Sequence, residues 1–235
     1  GVKIQSSVFA VDPQNAGSVV KEYLQGERNI EVREGEVMDI DESAFRDDRV
    51  CARLYGYLKI PFEREMVQNA KQSSKGCESP ESIAIDVVEN MENDCIYIIG
   101  PGTTTRAVMR QLGLDHTLLG VDAVCNGEII GSDLNESEII ELIENNEDKD
   151  LKIVVTAIGG QGYIFGRGNQ QISPRVIKKV GKDNIIIMCT SGKIDSLDGR
   201  PLLVDTPDRE VNEMMSGYTR VKTGYREEIV YKVKG

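Results

Sequence analysis

Cys95-Ile96-Tyr97-Ile98-Ile99-Gly100-Pro101-Gly102-Thr103-Thr104-Thr105-Arg106 is the stretch on which the reading of this chain turns. An apolar run without polar alternation looks like a strand covered on both faces, and it feeds a glycine turn and then a helix from Arg106 to Leu112. The cycle repeats downstream. Thr117 to Val124 and Glu128 to Ile130 read as strands, Glu136 to Glu144 as a helix, and Lys152 to Ile158 as a strand. Ser173-Pro174 is an N-cap with proline at the first helical position, so a helix runs from there through Val180 until Gly181 stops it. Asn184 to Cys189 returns as a strand. Helices between short β-branched strands supply crossovers, so the expected fold class is α/β, a layered and mostly parallel sheet with flanking helices.

Working upstream, a helix is expected near residues 81 to 91. Residues 63 to 82 are polar and rich in Ser, Lys and Gln, which reads as a loop outside the core. Before it, Val2 to Phe9 reads as a strand, Pro13 opens a helix through Leu24, and Glu31 to Ile60 is β-rich. The organisation expected is a smaller β-rich N-terminal region, 1–78, partly a remnant linking to an upstream domain, and an α/β ligand-binding domain, 79–235. The opening at Gly1 without methionine fits a cut from a longer protein. At the other end, Tyr218 to Tyr231 alternates on either side of Gly224 and reads as a closing C-terminal β-hairpin.

Composition narrows the function. The 28 Lys and Arg against 39 Asp and Glu give a net charge of -11, which repels a phosphate backbone at long range and argues against nucleic acid. Five scattered cysteines without C-x-x-C spacing point to reduced thiols and a cytoplasmic location. No stretch has the length of a membrane span. No metal-ligand cluster is legible, and self-association into a homo-oligomer is left open.

The loop after Ile99 is the first candidate site. In open α/β sheets ligands bind beyond the carboxyl ends of the strands. Gly100 and Gly102 let backbone approach an anion, Thr103, Thr104 and Thr105 offer hydroxyls, the following helix presents N–H groups, and Arg106 adds a cation. The lysine and spacing of a Walker A loop are absent. A tight turn with a threonine N-cap is the competing explanation. The second candidate, Gly159-Gly160-Gln161-Gly162 through Gly166-Arg167-Gly168-Asn169-Gln170, again follows a β-branched strand. In a parallel sheet it would leave by the same edge, so the two loops could face one cleft. Its five glycines in ten residues imply close backbone approach or several positive φ angles. Arg167, Asn169 and Gln170 offer a charge and directional hydrogen bonds, unless the segment is a glycine-rich hairpin packed under the sheet.

Asp122, an acid in an apolar run, is a third candidate: it either meets a ligand or caps a neighbouring turn. Asn135 reads as an N-cap, His116 as a surface residue, and Asp39 to Glu42 as a solvated acidic turn, although two close carboxylates there could hold magnesium. Ser6 and Ser7 are weak candidates to reach a ligand.

With these segments in place, the chain resembles the C-terminal portion of the ATP-NAD kinase family, in the branch related to the acetoin catabolism protein X. The resemblance rests on Ser6-Ser7-Val8-Phe9-Ala10, Glu36 to Asp41, Gly100 to Arg106, Gly120-Val121-Asp122, Gly159 to Gln170, Asp183 to Ile186, Arg200 to Thr206 and Gly217-Tyr218. It implies transfer of the ATP γ-phosphoryl group to the 2'-hydroxyl of NAD, with a divalent metal such as Mg, and a nucleotide or other phosphorylated small molecule as the partner. Family members carry the catalytic carboxylate in a Gly-Gly-Asp-Gly-like loop. These 235 residues contain no such loop, and Gln161 in the similar Gly159-Gly160-Gln161-Gly162 cannot act as a base. The catalytic residues are therefore expected outside this chain. The glycine loops are also similar in style to sugar-phosphate isomerases and sensors, which is the alternative reading.

Overall fold

The computed structural model describes residues 2–26, 30–41, 52–69, 71 and 79–235, and the chain forms two compact units, Gly1–Ser73 and Ser74–Gly235.

In the first unit, α1 (Val2–Gln5) and α2 (Pro13–Gln25) accompany a two-stranded antiparallel ribbon, β1 (Glu31–Ile40) with β2 (Ala52–Phe62). The expected opening strand is instead a turn of helix. The side chains at its end supply what a ladder would have supplied: Met38 N donates to Ser6 Oγ at 2.8 Å, and Glu36 N donates to Ser7 Oγ at 2.9 Å. Both serine hydroxyls are thus spent on β1. α2 starts where proline predicted, with the Asp12 carboxylate accepting from Asn15 N, and ends at Gly26 in the left-handed region, φ 65°. The stretch expected to lie wholly outside the core does not. Val67 is buried, and buried Gln68 donates Nε2 to the carbonyls of Lys3 and Ser6. Residues 70 and 72–78 of that stretch, and Glu42 of the acidic turn, lie outside the described residues; Asp39 belongs to β1.

The second unit is α/β. In chain order it comprises α3 (Pro80–Glu89), β3 (Cys95–Ile99), α4 (Arg106–Gln111), β4 (Asp122–Cys125), β5 (Glu128–Gly131), α5 (Glu136–Glu144), β6 (Asp150–Thr156), β7 (Tyr163–Phe165), α6 (Pro174–Val180), β8 (Ile185–Met188), α7 (Ser191–Asp195), β9 (Leu202–Val204), α8 (Arg209–Met215), β10 (Gly217–Gly224) and β11 (Glu227–Lys234). Nine strands form one sheet in the order β5-β4-β3-β6-β8-β10-β11-β9-β7. The neighbours β3, β6, β8 and β10 are mutually parallel, so their carboxyl ends share one edge.

Alternate residues of these strands feed two cores. Ile96, Ile98, Ile153, Val155 and Ile187 pack with Ile139, Ile143, Val176 and Ile177 of α5 and α6 on one face. Cys95, Tyr97, Ile99, Val154 and Met188 pack with Ile83, Val87 and Val108 of α3 and α4 on the other. Burial on both faces explains the unbroken apolar runs. The closing hairpin is no appendage: β10 pairs with β8 and β11 with β9 inside the sheet. The strand expected from Thr117 begins only at Asp122, because the preceding residues turn around that aspartate.

Candidate functional site

The Gly/Thr loop leaves β3 beside the end of β6, and Gly100 N donates to Val154 O at 2.8 Å. Gly102 sits so close that an added Cβ would lie 2.9 Å from Thr156 Cγ2, and its φ of 131° favours glycine. Its own N–H goes to Leu118 O at 3.2 Å, so the amide reserved for an anion in the sequence reading ties down a neighbouring loop. The amides that follow are different. Those of Thr103, Thr104 and Thr105 donate to no acceptor among the described residues. Nor does a threonine cap the helix: Thr105 Oγ1 donates back to Gly102 O at 3.0 Å. Thr104 is fully buried, and its hydroxyl makes no hydrogen bond. A buried hydroxyl without a partner costs about 1–3 kcal/mol, so a hydrogen bond to this group from water or a ligand would be favourable.

The next parallel strand supplies a cation that the sequence reading missed. α7 follows β8, and its Lys193 reaches across the edge to donate Nζ to Thr156 Oγ1 at 2.7 Å. Thr190, which precedes α7, is buried, makes no capping bond, and leaves its hydroxyl unbonded. One strand further, Thr223 of β10 carries another buried, unbonded hydroxyl. Four adjacent strand ends thus present Thr104, Thr156 with Lys193, Thr190 and Thr223. The signal for this in the sequence was Thr190-Ser191-Gly192-Lys193 directly after an apolar strand, a small-residue turn carrying one cation.

The second glycine loop emerges from the adjacent strand on the same edge. Its glycines have mainly a backbone explanation, since Gly160, Gly162, Gly166 and Gly168 all have φ between 77° and 90°. A Cβ on Gly166 would strike the Asp205 carbonyl. The turn is pinned from the α7 side, where Gly160 N donates to Ser196 Oγ and Arg200 Nη2 donates to Gly160 O, both at 2.9 Å. Gly159 and Gln161 are buried within it.

Arg167, expected to offer its charge to a ligand, is only 3% exposed. Its guanidinium lies 3.9 Å from the Tyr163 ring centroid, and Nε donates to Asp205 Oδ2 at 3.0 Å. Asn169 is also buried and donates Nδ2 to Ile164 O; Gln170 is exposed.

Asp122 is 2% exposed and its carboxylate is engaged, accepting from Thr117 N (2.9 Å), Thr117 Oγ1 (3.0 Å) and Asp133 N (3.0 Å). It clamps the two turns that flank β4. Arg106 is half-buried at the start of α4, and His116 is half-buried where a surface position was expected. Cys189, at the end of β8, is fully enclosed, and burial pushes its thiol pKa up, which keeps it protonated and inert.

This strand edge therefore carries backbone donors, buried hydroxyls and one ammonium. These fit an anionic phosphate. No group of three carboxylate, imidazole or thiol ligands for a metal occurs among the described residues, so no metal step is derived. A broad groove of about 820 Å³ lies elsewhere, between α3 and the β10–β11 hairpin. Two of its cations are already paired: Lys222 with Asp86 at 2.6 Å and Glu228 at 3.0 Å, Lys152 with Glu92 at 2.6 Å. No described helix is long and apolar enough to cross a membrane.

No curated protein and no solved structure matches the chain. The profile of the ATP-NAD kinase C-terminal domain matches residues 92–233, more than half of the 235 and including the four parallel strands whose ends share this edge, and the chain belongs to that family.

Proposed function

We propose that the second unit is the nucleotide-holding part of an NAD-kinase-like enzyme that moves the γ-phosphoryl group of ATP to the 2'-hydroxyl of NAD, and that the shared edge of β3, β6, β8 and β10 is where a phosphate of the nucleotide is held. The observation that carries this reading is the convergence of Lys193, Gly102 and the unbonded Thr104 and Thr190 hydroxyls on one strand edge inside the family match. Phosphoryl transfer depends mainly on positioning and charge neutralisation, which donors and an ammonium supply. A carboxylate that orients the acceptor hydroxyl is also required, and Asp122 is committed to Thr117 and Asp133. That carboxylate belongs to a Gly-Gly-Asp-Gly-like loop that these residues do not contain. The 235 residues alone accordingly bind without turnover.

The second glycine loop has a supporting place in this reading. It braces this edge through Ser196 and Arg200, while Gln170 stays exposed.

Calorimetry of the 235-residue chain against ATP, NAD and a panel of sugar phosphates tests the reading. Binding of ATP or NAD, weakened by Lys193→Ala, is expected. Binding of sugar phosphates without either nucleotide would assign the site to the isomerase or sensor class instead.

A further inference from the structure

Lys193 stands on an element too short to hold itself in place. α7 has five residues and no side-chain cap at its start, and so short a helix is marginal in water and leaves most of its carbonyls without partners inside it. The carbonyl of Lys193 is met by a side chain instead, with Ser196 Oγ donating to it at 2.6 Å. The same oxygen accepts from Gly160 N at 2.9 Å, across 36 residues of sequence. A hydroxyl can donate and accept at once, so Ser196 links the amide of the second glycine loop to the main chain of Lys193. Gly160 is a firm anchor for that link. It is buried with φ at 77°, and its carbonyl accepts from Arg200 Nη2 at 2.9 Å, while the Arg200 carbonyl accepts from the Tyr231 hydroxyl at 2.9 Å.

At the far end of its stem Lys193 is tied by Nζ to Thr156 Oγ1 at 2.7 Å. A lysine stem is long and flexible, so the place of the ammonium depends on where the backbone beneath it is fixed. We propose that Ser196 is a positioning residue: through its hydroxyl the second glycine loop sets where the Lys193 ammonium stands, so that the conformation of Gly160 and the holding of an anion at the strand edge are coupled. The effect on binding rests on the reading of Lys193 as the cation that meets a phosphate; the link between Gly160 and Lys193 does not. Coupling of this kind is reciprocal, so a ligand held by Lys193 also slows exchange of the Gly160 amide.

NMR of the 235-residue chain with labelled lysine side chains tests the link without any ligand. Ser196→Ala should shift the Lys193 side-chain resonance, identified by its loss in Lys193→Ala, and speed exchange of the Gly160 amide. Ser196→Thr keeps the hydroxyl and should leave both as they are in the unaltered chain. Arg200→Lys loosens Gly160 from its carbonyl side and should shift the same resonance, which keeps the test open if Ser196→Ala does not fold. In titrations with ATP and with NAD, Ser196→Ala should lower the affinity of whichever binds by about fivefold or more, with no further loss in a Lys193→Ala background. A Lys193 resonance unmoved in the folded variants would overturn the proposal. So would an equal loss of affinity with Lys193 already replaced, because Ser196 would then act elsewhere. If neither nucleotide binds the unaltered chain, the proposed function falls and the resonance alone decides for or against the link.

Discussion

At the residue scale, the candidate site is defined by polar groups that the fold buries without a protein partner. Replacing Thr104→Val keeps the shape and removes an unbonded hydroxyl, so the chain should be as stable as before or slightly more so in urea unfolding. Nucleotide affinity measured on the same variant should fall if, as proposed, the hydroxyl bonds the nucleotide. Asp122→Ala belongs to the opposite class. It removes an acceptor shared by two turns and should cost about 1–3 kcal/mol in denaturant unfolding.

The two arginines singled out in the sequence likewise separate. Arg106→Ala should weaken phosphate binding and leave folding intact. Arg167→Ala should instead destabilise by about 3 kcal/mol, since it leaves the Asp205 carboxylate without its buried partner. Sequence alone could not tell these arginines apart. Both lie in glycine-rich segments, and the packing of Tyr163 and Asp205 around Arg167 shows that its charge is spent internally.

At the element scale, the strand ends do the positioning, and the pieces that hold them apart are what the sequence showed best. Helices with a proline or asparagine start were legible to within a residue or two: α2, α5 and α6 start where Pro13, Asn135 and Ser173-Pro174 predicted. β7 and β9, three residues each, and the short helices α7 and α8 carry too few residues to show a period. Missing α7 meant missing Lys193.

α3 is anchored to β10 by the pair of Asp86 with Lys222. Burial works against the Lys222 charge, but hydrogen bonds and attraction from Asp86 and Glu228 outweigh it, and its pKa is raised. A raised lysine pKa contributes stability that is fully present below the ordinary lysine range, near ~10.4, and is lost as pH rises through the folded value. Unfolding of the second unit followed by circular dichroism should therefore ease above that range. Lys222→Met should flatten the alkaline decline, while costing about 3 kcal/mol at neutral pH by leaving Asp86 buried and unpaired by lysine.

At the scale of the whole molecule, the α/β class and the mostly parallel sheet were readable because strands buried on both faces have no polar alternation to confuse with anything else. The closing hairpin was readable as a hairpin; its insertion between β8 and β9 was not, since strand order depends on contacts far apart in sequence. The same long-range order turns two separate glycine loops into neighbours and brings a lysine from a third element to their edge. The function proposed for this edge is to hold a nucleotide phosphate through Lys193. Isothermal titration of the 235-residue chain and of Lys193→Ala with ATP and with NAD addresses it most directly. Measurable binding of at least one nucleotide by the unaltered chain is expected, with a loss of about tenfold or more in the variant and both proteins equally folded. Equal affinity in the two proteins, or sugar-phosphate binding with neither nucleotide bound, would contradict it.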